Sequence, residues 1–254
     1  MLEGKIIVVT GAASGIGRAI AVSAARHGAR GVVVGDLSPE PKEGGDTTVD
    51  LVKAAGAESR FVEVDVRERA QIDALIAAAE EMGGVDAVVC NAGIARPGDG
   101  PDVSMEDFDL LYAVNMKGLL ATAQAGATAM NKRGRGGSIV LISSMAGVKG
   151  TAINLAYGAT KAGVNLLAAA LADAHGPAAI RVNAIAPGLI DTSLAETSSP
   201  KVKAAMDGFV SRMPLRRLGR PEEIGDVVAW LASDLSTYVT GVALAVDGGQ
   251  TAVL

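Results

Sequence analysis

Short runs rich in Val and Ile alternate along this sequence with longer Ala- and Leu-rich segments whose apolar positions recur at helical spacing. A strand beside a parallel neighbour is buried on both faces and needs a crossover, usually a helix, so it reads as an unbroken apolar run. Such runs occur at Lys5–Thr10, Gly31–Asp36, Arg60–Asp65, Asp86–Asn91, Ser138–Ser143, Ile180–Ala186 and Val242–Val246, each but the last followed by a helical segment. The pattern predicts an α/β fold with a doubly wound, seven-stranded parallel sheet flanked by helices on both faces. Helix starts are marked by Ser104 with Asp107, which resembles a capping box, and by Pro221 followed by Glu222 and Glu223. Ser38–Asp46 and Asp191–Pro200 are rich in turn formers and polar residues and read as loops.

At 254 residues, 49% hydrophobic and 20% charged, the chain can bury one continuous core, so residues 1–254 are read as a single domain. Its 23 Lys and Arg against 28 Asp and Glu give a net charge of −5 with the cations scattered, which argues against nucleic acid as a partner. One cysteine, Cys90, and two distant histidines, His27 and His175, offer neither a disulfide nor a local metal cluster, so no metal is expected. The longest run without charge, Gly118–Asn131, has 14 residues, short of the roughly 20 that a spanning helix needs. The opening MLEGKIIVVT enters a strand-like run directly. The expectation is a cytoplasmic protein with no membrane partner.

The first strand leads into Thr10-Gly11-Ala12-Ala13-Ser14-Gly15-Ile16-Gly17, with the next helix opening at the last glycines. Small residues there let backbone N–H groups approach a pyrophosphate, and the helix N-terminus adds partial positive charge toward it. Between a strand and a helix the turn marks a Rossmann-like dinucleotide site made by Gly11, Ser14, Gly15, Ile16 and Gly17. The second strand ends at Asp36, 19 residues after Gly17, where a carboxylate can accept from an adenosine ribose. Leu37 follows it, with no Arg or Lys to receive a 2′-phosphate, so NAD(H) is expected over NADP(H). Asp65 and Val66, closing the third strand, are candidates to flank the adenine.

Tyr157 and Lys161 stand four residues apart on a predicted helix and share one face. A phenol of pKa about 10 must shift by about 2, or about 2.7 kcal/mol, to be half-ionised near pH 8. A neighbouring ammonium and an oxidised nicotinamide are charges of the sign required. The spacing alone also suits a buried tyrosine beside a surface lysine, so context decides. That context is an ordered set: TGAASGIG, Asp36, Asn91-Ala92-Gly93, Asn115, Ser143-Ser144, Tyr157 with Lys161, Pro187-Gly188, Arg220-Pro221-Glu222-Glu223 and Asp247-Gly248-Gly249. In these residues the chain resembles the short-chain dehydrogenase/reductase family from Lys5 to about Gly249.

The resemblance implies a catalytic tetrad of Asn115, Ser144, Tyr157 and Lys161, with Ser144 chosen over Ser143 because it lies 13 residues before the tyrosine. Ser144 would hydrogen-bond the reacting oxygen and Tyr157 would take the alcohol proton as hydride leaves for the nicotinamide. Lys161 would hold ribose hydroxyls and lower the tyrosine pKa, and Asn115 would hold a proton-relay water. Asn91, Ala92 and Gly93 would pass beneath the cofactor, while Pro187, Gly188, Ile190 and Thr192 bracket the carboxamide. It also implies a homotetramer, with which the apolar stretches Met116–Met130 and Val164–Ala174 agree. Cys90 departs from the asparagine usual in the family and is expected to be a buried, inert thiol. The Ser38–Asp46 insertion is a second departure, beside the ribose site.

The substrate would lie over the C-terminal strand ends, against Met145, Ala146, Asn154 and Leu189, with a lid at about 189–213. Those walls suit a secondary alcohol or ketone with an apolar body; Arg96 is a candidate for an anionic group. One alternative is an NADPH-dependent 3-oxoacyl-(acyl-carrier-protein) reductase, which would want a basic docking surface where His175-Gly176-Pro177-Ala178-Ala179 has none. A non-catalytic dinucleotide-binding sensor is the alternative from another class, and loss of the tetrad would be its mark.

Overall fold

The computed structural model describes residues 1–96, 99–192 and 208–253. Seven parallel strands form one sheet in the order β3-β2-β1-β4-β5-β6-β7. They are β1 (Ile6–Thr10), β2 (Gly31–Asp36), β3 (Glu58–Glu63), β4 (Ala87–Cys90), β5 (Gly137–Ile142), β6 (Ile180–Pro187) and β7 (Ala243–Val246). The helices are α1 (Gly15–Arg26), α2 (Thr48–Ala54), α3 (Arg69–Glu81), α4 (Met105–Tyr112), α5 (Leu119–Arg133), α6 (Leu155–His175), α7 (Pro221–Ala232) and α8 (Gln250–Val253). On one face Ile20 and Ala24 of α1, Val52 of α2 and Ile224 and Val228 of α7 pack with Ile7 and Val9. On the other, Ile72 and Leu75 of α3, Leu119 and Met130 of α5 and Val164 and Ala168 of α6 pack with Ile6, Val8 and Ile139. Burying alternate residues of β1 on opposite faces accounts for its unbroken apolar sequence.

The strand order reverses between β1 and β4, whose pairing Ile7↔Ala87 to Val9↔Val89 leaves their carboxyl ends side by side. A crevice opens there because the crossovers leave in opposite directions, and the residues that end these two strands must line it.

The structure corrects several boundaries. β3 starts and ends two residues earlier than the apolar run suggested, because its register with β2 runs from Gly31↔Glu58 to Asp36↔Glu63. Asp65 has left the sheet: its N–H donates to Gln71 Oε1 at 2.7 Å and its carbonyl accepts from Glu68 N. β7 is followed by the short α8, which the sequence reading omitted. At Ser104 half of the capping box forms, with Asp107 N–H donating to Ser104 Oγ at 3.0 Å. At α7 the Arg220 N–H donates to Glu223 Oε2 at 2.7 Å.

α6, with the 3-10 turn Gly176–Ala178 that continues it, is long and apolar enough by length and composition to cross a membrane, which the search for uncharged runs missed. Two charges, Lys161 and Asp173, interrupt it. Here its Val164, Ala168 and Ala172 are buried against the sheet.

Candidate active site

β1 delivers the chain to Gly11, which has φ +65, and α1 begins at Gly15, with φ +55. A Cβ on Gly11 would lie 2.8 Å from Ala92 Cα, and one on Gly17 would collide with the Gly11 carbonyl oxygen. The turn is therefore as close to β4 and to its own helix as backbone allows. Asn91 holds that approach: its Nδ2 donates to the carbonyls of Thr10 and Gly11, both at 2.9 Å. Above Gly15 there is room, since a Cβ there would meet only Thr192 Cγ2 at 3.9 Å. Gly15 N–H is engaged by Glu43, and the next first-turn N–H groups, of Ile16 and Gly17, have no partner among the described residues and fit a pyrophosphate.

Asp36, at the end of β2, accepts from Ala13 N–H on Oδ2 at 2.9 Å and from Leu37 N–H on Oδ1 at 2.8 Å. Both oxygens keep lone pairs for ribose hydroxyls. Leu37 is exposed beside it. Asp65 and Val66, the candidates to flank an adenine, lie just past the end of β3. The Arg67 guanidinium clasps the Asp65 carboxylate and holds it below the usual carboxylate range. The Val66 side chain is buried, packed where a Cβ on Gly118 would come within 2.7 Å of its Cγ2.

The chemical residues converge on the carboxyl end of β5. Ser144, just past that strand, accepts from Ala146 N–H at 3.1 Å, and its hydroxyl acts on the Tyr157 phenol, favouring the ionised form. Ser143 is turned inward, donating to the Lys161 carbonyl at 2.9 Å. Lys161 is 3% exposed, with Nζ donating to the Ile142 carbonyl at 2.8 Å and lying 5.6 Å from the Tyr157 ring centroid. Burial pulls its pKa from 10.5 to about 8. Burial also pushes the Tyr157 phenol up, with the Ser144 hydrogen bond working against it. In the protein alone the phenol is thus shifted away from ionisation. Gly93 is part of the same cluster, since a Cβ on it would lie 3.2 Å from Asn115 Oδ1 and 3.3 Å from Lys161 Nζ.

Asn115 occupies a π-helical segment, Ala113–Gly118, between α4 and α5, within the helical stretch whose start Ser104 marks. It is fully buried, and its side-chain amide is already spoken for: Oδ1 accepts from Ile94 N–H and Nδ2 donates to the Ile94 carbonyl, each at 2.9 Å. Its Nδ2 also donates to Thr160 Oγ1 at 3.3 Å. A π turn widens the backbone locally and recurs at functional sites.

One residue that sequence reasoning missed is Asp99. Its buried carboxylate accepts from the N–H groups of Ala156 at 2.7 Å and of Tyr157 itself at 2.8 Å, so it caps α6 from a loop 58 residues upstream. A carboxylate there also complements the helix dipole. Replacing Asp99 with alanine is expected to cost about 2–3 kcal/mol, because two charge-assisted bonds are lost and two buried donors are left unpaired. Urea unfolding reads this directly, and an unchanged midpoint would contradict it.

Beyond β6, Gly188 N–H donates to the Val246 carbonyl at 3.1 Å and Leu189 N–H to Gln250 Oε1 at 3.3 Å. Ile190 bridges to Gly219 and packs against the core, and Thr192 reaches over Gly15. Of the substrate-wall candidates, Met145 and Leu189 are partly buried, Asn154 is the N-cap of α6, and Ala146 is buried. Arg96 pairs with Asp107 at 3.4 Å, on the outside of α4. Most of the expected lid, residues 193–207, lies outside the described residues. Cys90 is buried, and burial pushes its thiol pKa up.

A family model described as enoyl-(acyl carrier protein) reductase matches residues 11–251. L-rhamnose 1-dehydrogenase (NAD(P)(+)) of Azotobacter vinelandii is 38% identical over 98% of this chain and 97% of its own length. The 3-oxoacyl-[acyl-carrier-protein] reductase of Thermotoga maritima is 39% identical over 98% of each chain. Among solved structures, a short-chain type dehydrogenase/reductase from Mycobacterium marinum superposes with a TM-score of 0.89 at 33% identity, covering 98% of this chain and 96% of that one. The sheet order, the glycine turn at the switch point and these whole-length matches agree: the chain belongs to the short-chain dehydrogenase/reductase family of oxidoreductases.

Proposed function

We propose that this chain is an NAD(H)-dependent oxidoreductase that interconverts a secondary alcohol and a ketone, with Tyr157 as the acid/base. The observation that carries the chemistry is the placing of Ser144, Tyr157 and the buried Lys161 together at the carboxyl end of β5, with Lys161 Nζ 5.6 Å from the Tyr157 ring centroid. The dinucleotide would be held by the Gly11–Gly17 turn, Asp36, Asn91–Gly93, Lys161 and the 187–192 segment. When bound, it supplies the hydride acceptor or donor. Ser144 orients the substrate oxygen, and Tyr157 accepts its proton in oxidation and returns it in reduction. Lys161, with one N–H on the Ile142 carbonyl, keeps two for ribose hydroxyls and the region of the phenol. Because the Asn115 amide is paired with Ile94, a relay water there would be bound at its main chain.

Asp36 supports NAD(H): a carboxylate hydrogen-bonds a ribose 2′-hydroxyl and repels a 2′-phosphate. Asp36→Ala is expected to raise the NAD+ KM at least about ten-fold, the worth of about 1.4 kcal/mol, and to narrow the preference over NADP+. Steady-state kinetics with both dinucleotides checks this, and an unchanged NAD+ KM would remove Asp36 from the site. A carrier-protein substrate is less favoured, since residues 175–179 at the end of α6 carry neither Lys nor Arg. In this reading residues 1–254 act as one cytoplasmic domain and the assembly is a homotetramer. The exposed Tyr112 of α4 and Leu155 and Leu166 of α6 are available for such contacts.

A further inference from the structure

The loop between β2 and α2, the Ser38–Asp46 insertion, folds back on the glycine turn. Pro41 is buried, Lys42 N–H donates to Ser14 Oγ at 2.8 Å, and Thr48 Oγ1 donates to the Ala12 carbonyl at 2.8 Å. Seated in this way, the loop places a carboxylate at the start of α1: Gly15 N–H donates to Glu43 Oε1 at 3.0 Å. The same oxygen stands 3.9 Å from Arg18 Nε. Arg18 is 16% exposed, and its buried Nη1 has no hydrogen-bond partner among the described residues. Arg18, Glu43, Gly15 and Thr192 line one cavity of about 280 Å³.

Asp36 on Ala13 and Glu43 on Gly15 therefore bracket the turn two residues apart, with Ser14 held between them by Lys42. An adenosine ribose seated on Asp36 would lie against the turn that both carboxylates engage. A hydroxyl can donate to either of them; a 2′-phosphate brings a charge of about −1.5 to −2 and acceptor oxygens only. The groups that would receive such a phosphate, a helix-start N–H and a guanidinium, are the two that Glu43 engages.

We propose that Glu43 is a second determinant of dinucleotide choice, which excludes the 2′-phosphate by occupying the Gly15 N–H and neutralising Arg18. The inference rests on the dinucleotide reading of the site and deepens it. Because glutamine keeps an oxygen for the Gly15 N–H, Glu43→Gln removes the charge while leaving the loop seated; Glu43→Ala removes both.

The test is equilibrium binding to the full chain, read by the fluorescence of NADH and NADPH. Glu43→Gln is expected to lower the Kd for NADPH about ten-fold, the effect of one charge at about 1.4 kcal/mol, while the Kd for NADH changes less than about three-fold. Glu43→Ala should change the ratio in the same direction. A Kd ratio the same as wild type in Glu43→Gln overturns the proposal, whether or not Glu43→Ala alters it, because loop seating rather than charge would then be the cause. The wild-type ratio separately tests Asp36: tighter NADPH than NADH there sinks the NAD(H) reading, whereas the change between wild type and Glu43→Gln tests Glu43 alone. Binding of neither dinucleotide to wild type would overturn both.

Discussion

Tyr157→Phe is expected to lower kcat about 10³-fold while the Kd for NADH stays within about two-fold of wild type. The phenyl ring fills the same half-buried position at the start of α6, and the single atom removed is the phenol oxygen beside Ser144. Positioned proton transfer contributes about 10²–10⁴-fold, and binding draws on the glycine turn and Asp36, which the change does not touch. Because burial pushes the phenol above its ordinary pKa, alcohol oxidation should accelerate with rising pH until the phenol of the loaded enzyme ionises. The reverse reaction, which needs the proton on Tyr157, should weaken over the same range. Steady-state rates in both directions across pH check this, and parallel profiles would contradict it.

The second large effect is at Lys161, where function and stability pull apart. Burial holds its ammonium at about 8, against 10.5 when solvated. Between these values the folded chain binds fewer protons than the unfolded one, so stability rises with pH across that window; below about 8 the full cost of the buried charge, about 3 kcal/mol, is present. Lys161→Met removes this cost but leaves the Ile142 carbonyl without its partner, a loss of about 1–2 kcal/mol. The variant should therefore be more stable than wild type by about 1–2 kcal/mol at pH 7 and lose that advantage toward pH 10. At the same time kcat should fall at least about 10²-fold, because the cation beside the phenol is gone. Urea unfolding at the two pH values reads the first part, and a variant less stable than wild type at pH 7 would contradict it.

Much of the architecture was legible because parallel strands announce themselves. Runs such as Ile6–Thr10 are apolar on both faces, and the glycine turn follows the first of them in sequence. The end of β3 was misplaced because Val64 continues the β-branched pattern past Glu63, the last residue that pairs with β2. There hydrogen-bond register decided the boundary, and hydropathy does not encode register. The π turn at Asn115 left no trace in the periodicity, and the two-point contact that its side chain makes there is with Ile94, 21 residues away. Of the residues proposed for chemistry, Ser144, Tyr157 and Lys161 meet at one strand end, and Ser143 is excluded by its inward bond to Lys161. Asp99 was invisible because nothing local distinguishes an aspartate in a Gly- and Pro-containing loop from one that caps a helix 58 residues later. For Glu43 the loop itself stood out as an insertion beside the ribose site, but only the folded path shows which of its acidic groups reaches the turn.

The most direct test of the central claim is the initial rate at 340 nm on a panel of aliphatic, cyclic, polyol and steroid alcohols and ketones. It would be run with both dinucleotide pairs and with Tyr157→Phe beside wild type. The account predicts turnover with NAD(H) that is lost in the variant. Equal rates in the two proteins, or turnover confined to NADP(H), would contradict it.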